Sequence, residues 1–201
     1  VDVITTATPL ELMRGVKWDN IKAGSEYLAN NDLLSMFLGF RVGSVGESAI
    51  FLIVIAGIYL LATKTANWKT MIPTLLSASV LTVILYLTGA MAGKLPAMSP
   101  VGKDLVTQLS DILRFLMSGS LLFVVVFMVT DPVSGPNKPV AQVIYGILIG
   151  ATVVVIRVFS AFPEGTSFAV LIGNTFANLL DEYAPAPAKK AAKVPAKEVK
   201  A

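Results

Sequence analysis

The chain has 201 residues, 55 % of them hydrophobic and 14 % charged, with a net charge of +3 and a mean hydropathy of +0.73. Soluble domains carry about 25 % charged residues, so the deficit points to a solvent that excludes charge. There is no cysteine and no histidine, which removes iron–sulfur, zinc, copper and haem ligation and histidine bases from this chain; any redox chemistry must come from an organic cofactor.

The chain opens on Val1 without a secretory signal pattern, as expected of a processed protein or of part of a longer one. Thr8, Pro9 and Glu11 have the spacing of an N-cap, a first helical proline and a capping-box carboxylate. A threonine there points its hydroxyl oxygen into free amide N–H groups and positive helix dipole, a setting that also suits a phosphate ester. Leu10–Val42 mixes Trp18, Tyr27, Phe37 and Phe40 with charges, which predicts helices lying in the membrane interface. Gly43 and Gly46 then allow close backbone approach to a ligand or another helix. Glu47 is read either as a carboxylate satisfying a helix N-terminus or as a residue facing a cofactor or an ion.

A spanning helix needs about 20 apolar residues, and five stretches approach this: Glu47–Thr63, Thr70–Ala92, Ile112–Thr130, Val140–Phe159 and Gly165–Leu180. The predicted fold is therefore all-α and polytopic, with about five transmembrane helices. It divides into an outer-face segment (1–46), a membrane domain (47–182) and a disordered Lys/Ala/Pro tail (183–201). Asp111 and Arg114 are spaced as an i,i+3 pair. Asp131, between Thr130 and Pro132, is read as a helix terminator organising a turn. Gly146 and Gly150 form a small-xxx-small face for close helix packing. Arg157 and Glu164 could pair across a short loop, or Arg157 could hold a phosphate. Asn174, Asn178 and Asp181 fall on one stripe of the fifth helix, which should face protein or water.

Lys64, Lys69, Lys138 and the basic tail follow odd-numbered spans, which places them in the cytoplasm and residues 1–46 outside. Lys94 and Lys103 count against this but are fewer. If the whole protein began in the cytoplasm, an odd number of spans would lie upstream. The positive charge sits mostly in the tail, and no nucleic-acid partner is expected. On these residues alone a channel or transporter without redox chemistry, using Glu47, Asp131, Asn174, Asn178 and Asp181 as its path, stays open, as does a scaffold protein.

Asp2-Val3-Ile4-Thr5-Thr6-Ala7-Thr8 resembles the flavin-attachment motif Asp-x-x-(Ser/Thr)-Gly-Ala-(Ser/Thr), with Thr6 in place of glycine. Gly43-Ser44-Val45-Gly46-Glu47-Ser48, Phe127–Ser134, Ile156-Arg157-Val158, Phe162-Pro163-Glu164-Gly165 and the Asn174…Asn178…Asp181 ending follow in order. Together they resemble, over nearly all of residues 2–183, the C-terminal half of the RnfD/NqrB family of membrane proteins, which serve two related respiratory complexes. RnfD belongs to the Rnf complex (ferredoxin:NAD⁺ oxidoreductase) and NqrB to the sodium-translocating NADH:quinone oxidoreductase. Ala7-Thr8-Pro9-Leu10 and Pro163-Glu164-Gly165-x-x-Phe168-Ala169 look more like RnfD.

The resemblance implies FMN joined through its phosphate to Thr8, flanked by Asp2, Thr5, Thr6 and Ala7. It further implies that the turn with Gly43 and Gly46 lies beside flavin, which would bring Glu47 into flavin contact and let Arg157 hold a flavin phosphate, and it allows a second, non-covalent flavin such as riboflavin. It also implies a multi-pass protein of the bacterial or archaeal cytoplasmic membrane, with five further helices upstream. Membrane and outer-face flavoproteins of the same complex, iron–sulfur proteins, and Na⁺ or H⁺ are the implied partners, beside the lipid bilayer.

Overall fold

The computed structural model describes residues 33–40, 44–95, 98–160, 162 and 164–185, together with Leu10 and Met13. The expected capping box at Thr8–Glu11, most of the interfacial segment, and the tail beyond residue 185 lie outside the described residues. Among the described residues there is no strand. The helices among these residues are α1 (Leu33–Leu38), α2 (Val45–Ser48), α3 (Ile50–Ala62), α4 (Trp68–Leu87), α5 (Leu105–Met117), α6 (Leu121–Phe123), α7 (Pro139–Phe159) and α8 (Thr166–Tyr183). A π-helical turn, Val124–Met128, continues α6.

Helical segments stand where all five spans are expected. Two of them, α4 and α7, are long and apolar enough to cross a membrane by length and composition, and α5 with α6 makes a third if the bent pair is counted as one span. The first stretch is not one helix from residue 47: Ala49, at φ −85° and ψ 82°, separates α2 from α3. That leaves 13 residues in α3, about 20 Å at 1.5 Å per residue. The second stretch ends at Leu87 and passes into turns rather than running to Ala92.

The third stretch differs most from expectation. Instead of one span over Ile112–Thr130 there is a break at Ser118–Ser120, across which the axis bends by 61°. Ser118 is extended (φ −76°, ψ 145°) and Gly119 is left-handed at φ 67°; glycine reaches that region at no steric cost.

The α4–α7 pair is the spine of the bundle. Asn67 caps α4 by accepting from the Lys69 N–H at 3.1 Å. Gly146 and Gly150 let α7 close on α4, because a Cβ at Gly146 would lie 2.7 Å from the Thr70 carbonyl oxygen and one at Gly150 would overlap that of Thr74. The Ser77 hydroxyl donates to Ile147 O at 2.9 Å. Since Gly146 meets residues 70–74 and Gly150 meets 74–78, the two helices run parallel. The α7–α8 pair is antiparallel: Tyr145 meets Asn174 and residues 137–138 meet Asp181. The expected alternation of direction is therefore present in α4, α7 and α8.

Candidate functional site

Polar residues gather at two opposite rims of this apolar bundle. At one rim, Ser44 and Glu47 form a capping box around α2, with the Ser44 N–H donating to Glu47 Oε1 at 3.3 Å. Gly46 and Glu47 line an open cavity of about 280 Å³ with Ser44, Ser120, Phe123 and Ser167. Among the described residues a Cβ on Gly46 would meet only the Phe123 ring, at 4.0 Å, so none of them makes a tight helix contact that requires glycine there. Gly43 lies outside the described residues.

Arg157 is not part of that lining. It is fully buried, with Nη1 donating to Phe115 O at 3.4 Å, its guanidinium 5.9 Å from the Phe115 ring, and Nη2 3.8 Å from Glu164 Oε2. The expected Arg157–Glu164 pairing is thus present. Glu164 reaches further, accepting from the Ser120 hydroxyl at 2.7 Å and the Thr166 hydroxyl at 3.4 Å. Its carboxylate lies against Gly119, so any side chain at 119 would strike it. Burial of a guanidinium is costly unless its charge is paired, so Arg157 and Glu164 hold each other at the break between α5 and α6.

A second network sits at the same rim. Asp111, 4 % exposed, is ion-paired with Lys103, lies 3.9 Å from Arg114 Nη1, and accepts from the Tyr86 hydroxyl at 3.3 Å. The i,i+3 pair was legible in the sequence. Lys103 and Tyr86 were not, because they arrive from other segments.

At the opposite rim, Asp131 closes the turn after the π-helical segment. Its oxygens accept from Ser134 Oγ at 2.7 Å, Val133 N–H at 3.2 Å and Ser134 N–H at 3.3 Å. The Ser134 hydroxyl first, then the Val133 amide, hold this carboxyl below its ordinary value against a smaller desolvation effect. Asp131 also lines a polar cavity of about 110 Å³ with Thr65, Asn67, Thr70, Thr130 and Gln142.

Asp181 clamps the start of α7 by accepting from Asn137 N–H at 2.7 Å, Asn137 Nδ2 at 3.2 Å and Lys138 N–H at 2.9 Å. Tyr145 donates to Asn174 Oδ1 at 2.5 Å. Asn178, between them, is exposed. The predicted stripe therefore divides: Asn174 and Asp181 join α8 to α7, and Asn178 does not share that contact. Glu47 is at the other rim, so the five residues read as a path form no single cluster.

Asp2, Thr5, Thr6, Ala7 and Thr8 lie outside the described residues. Two residues beyond Thr8, however, Leu10 is fully buried, as is Met13, both in the same apolar core as Tyr86, Leu121 and Tyr145. Besides Lys103 and Tyr86, sequence reasoning missed Gly119 and Ser120. The signal available was the Ser118-Gly119-Ser120 run inside an apolar stretch, a pattern that small-residue packing explains equally well.

Residues 1–189 match the family described as NQR2, RnfD, RnfE. The chain is 38 % identical over 152 residues to the NqrB protein of the Na(+)-translocating NADH-quinone reductase of Chlamydia felis, covering 75 % of this chain and 29 % of that protein. It is 36 % identical over 186 residues to the corresponding NqrB protein of Ectopseudomonas mendocina, covering 91 % and 41 %. To the RnfD protein of the proton-translocating ferredoxin:NAD(+) oxidoreductase complex of Clostridium ljungdahlii it is 30 % identical over 188 residues, covering 91 % and 50 %. The chain spans half or less of the length of each of these relatives.

Proposed function

The chain belongs to the NQR2, RnfD, RnfE family, and from that premise we propose that it is part of a membrane protein that carries FMN on Thr8 in an ion-translocating electron-transport complex. The observation that carries this reading is the family match across residues 1–189, which includes the Asp2…Thr8 motif. The donor chemistry is suitable, since a threonine hydroxyl at a helix start can bear a phosphate ester whose oxygens accept from the free amides. Leu10, buried two residues further on, would keep such a flavin tethered against the bundle.

Bound flavin supplies the capacity to exchange electrons one at a time, which a chain without cysteine or histidine lacks. The protein's part is to hold the flavin in place and tune its potential through nearby dipoles and charge. The cavity lined by Glu47, Ser44, Ser120, Ser167 and Phe123 offers hydroxyl partners and an aromatic face suited to a flavin ring. We assign the second, non-covalent flavin there. Na⁺ or H⁺ is the transported ion, and iron–sulfur proteins and flavoproteins of the complex are the electron-transfer partners.

Two forms of this reading differ in electron donor and acceptor. The Ala7–Leu10 and Pro163–Ala169 runs support the ferredoxin:NAD⁺ form, whereas the higher identities, 38 % and 36 %, support the NADH:quinone form. Reduction of the flavin by ferredoxin, but not by NADH and its flavoprotein partners, would select the first.

The direct test is mass spectrometry of the Thr8 peptide from the native protein. We expect the mass of FMN less one water, and yellow fluorescence retained in the denatured band and lost in Thr8→Ala. An unmodified Thr8 peptide from the native membrane, or fluorescence retained in Thr8→Ala, refutes the covalent assignment. A colourless protein that moves a solute in liposomes would support the channel reading instead.

A further inference from the structure

On the side of the α4–α7 spine turned away from α8 lies an open trench of about 490 Å³. Its floor is built by two i,i+4 rows in one constant register: Pro73 with Val143, Ser77 with Ile147, Leu81 with Ala151. Leu76, Val80 and Ile84 form the wall, and each of these three is at least half exposed. Ser77 is the one hydroxyl in the floor and is already spent on Ile147 O, so the trench offers nothing to a polar ligand.

Length and charge point to the occupant. From Pro73 to Ile84 the trench runs eleven residues, about 16 Å at the helical rise. The extended acyl chain of a phospholipid can lie along an apolar floor of that length. One turn before Pro73, on the same helix face, is Lys69, whose ammonium lies 5.9 Å from the ring centre of Trp68; Trp68 is 57 % exposed. An aromatic ring beside a lysine at a helix end is the arrangement that sits at headgroup level.

We propose that this trench binds an anionic phospholipid, with one acyl chain between α4 and α7 and the phosphate at Lys69. The chain is held by dispersion and by removal of its methylenes from competing contacts, and the headgroup by the lysine charge together with the Trp68 indole at the same level. Each lysine near an anionic headgroup strengthens binding about fivefold, so headgroup selectivity and trench occupancy separate into two measurements.

The test is native mass spectrometry of the full chain, purified in mild detergent and titrated with phosphatidylglycerol or phosphatidylcholine. The protein should retain phosphatidylglycerol preferentially. Lys69→Gln should lower that preference about fivefold and leave phosphatidylcholine unchanged. Ala151→Phe, which fills the trench from a partly buried position, should remove tight binding of both lipids. Helicity measured by circular dichroism must be kept in both variants, and Ala151→Leu serves as a milder filling variant if Ala151→Phe does not fold. The proposal is overturned if Ala151→Phe and Ala151→Leu bind phosphatidylglycerol as the parent does, or if Lys69→Gln keeps the full preference. It is likewise overturned if the purified protein releases a quinone instead of a phospholipid, or if a cysteine placed at Ile147 in the whole protein cross-links to a helix of another protein or of a part of this protein outside these 201 residues.

Discussion

Asp131 shows at residue scale how a group read as a possible ion ligand is used by its own loop. Three donors from Val133 and Ser134 converge on its carboxylate, the pattern of an Asx turn that ends a helix before Pro132. This was legible, because Asp before Pro with a serine three residues on has few other uses. The sign of its pH dependence follows. The folded carboxyl sits below its ordinary value, chiefly through the Ser134 hydroxyl, so its contribution to the turn is complete above the unfolded value and is lost as pH falls through the folded one. Ser134→Ala removes the largest cause. The Asp131 carboxylate band in an infrared pH titration should then disappear at a higher pH than in the parent, and a band that vanishes at the same or a lower pH would contradict the assignment. Glu164 is the contrasting case. Its pairing with Arg157 could be proposed from a short loop, but its hydrogen bond to Ser120, 44 residues away, could not.

At the scale of elements, the same contrast separates α7 from the α5–α6 break. The α4–α7 contact was readable from Gly146 and Gly150 because two glycines one turn apart on an apolar helix permit close backbone approach, and they do meet the Thr70 and Thr74 carbonyls. Gly150→Ala should therefore destabilise the bundle by about 1–3 kcal/mol, the usual cost of overpacking. Its Cβ would fall on backbone, 3.0 Å from Ala78 N as well as on Thr74 O, and neither can rotate away. Gly93→Ala, where a Cβ meets nothing within 4 Å, is the matched control. Thermal unfolding in detergent should lower the midpoint for Gly150→Ala and leave the control unchanged. The break at Ser118–Ser120 was not readable, since residues 112–130 form one apolar run. Local hydropathy favours a continuous span there. The bend is held instead by Glu164 and Arg157, which tertiary folding supplies after the helix signal is exhausted.

At the scale of the whole molecule, parity is the property that the sequence states most economically and the structure makes testable. Ends of odd-numbered segments and starts of even-numbered ones meet in the Asp131 cavity, which Thr65, Asn67 and Asn137 share, and Asp181 closes onto Asn137 and Lys138 from the end of the fifth segment. Lys64, Lys69 and Lys138 therefore gather at one rim. Lys103, tied to Asp111 and through it to Tyr86, stands at the other, together with Glu47 and Glu164. Because a basic excess marks the cytoplasmic side, we predict the rim with Asp131 inward and that with Glu47 outward, where the Thr8 flavin is proposed. Because this chain has no cysteine, single cysteines report sidedness directly. Lys64→Cys and Val133→Cys, the latter position 90 % exposed, should react with an impermeant maleimide in inverted vesicles and be protected in right-side-out cells; Val101→Cys, 84 % exposed, should do the reverse. Labelling of Lys64→Cys and Val101→Cys from the same side would break the parity itself. Reversal of all three would preserve the parity and move the flavin-bearing rim to the cytoplasm, where the charge rule would have been overridden by the rest of the protein.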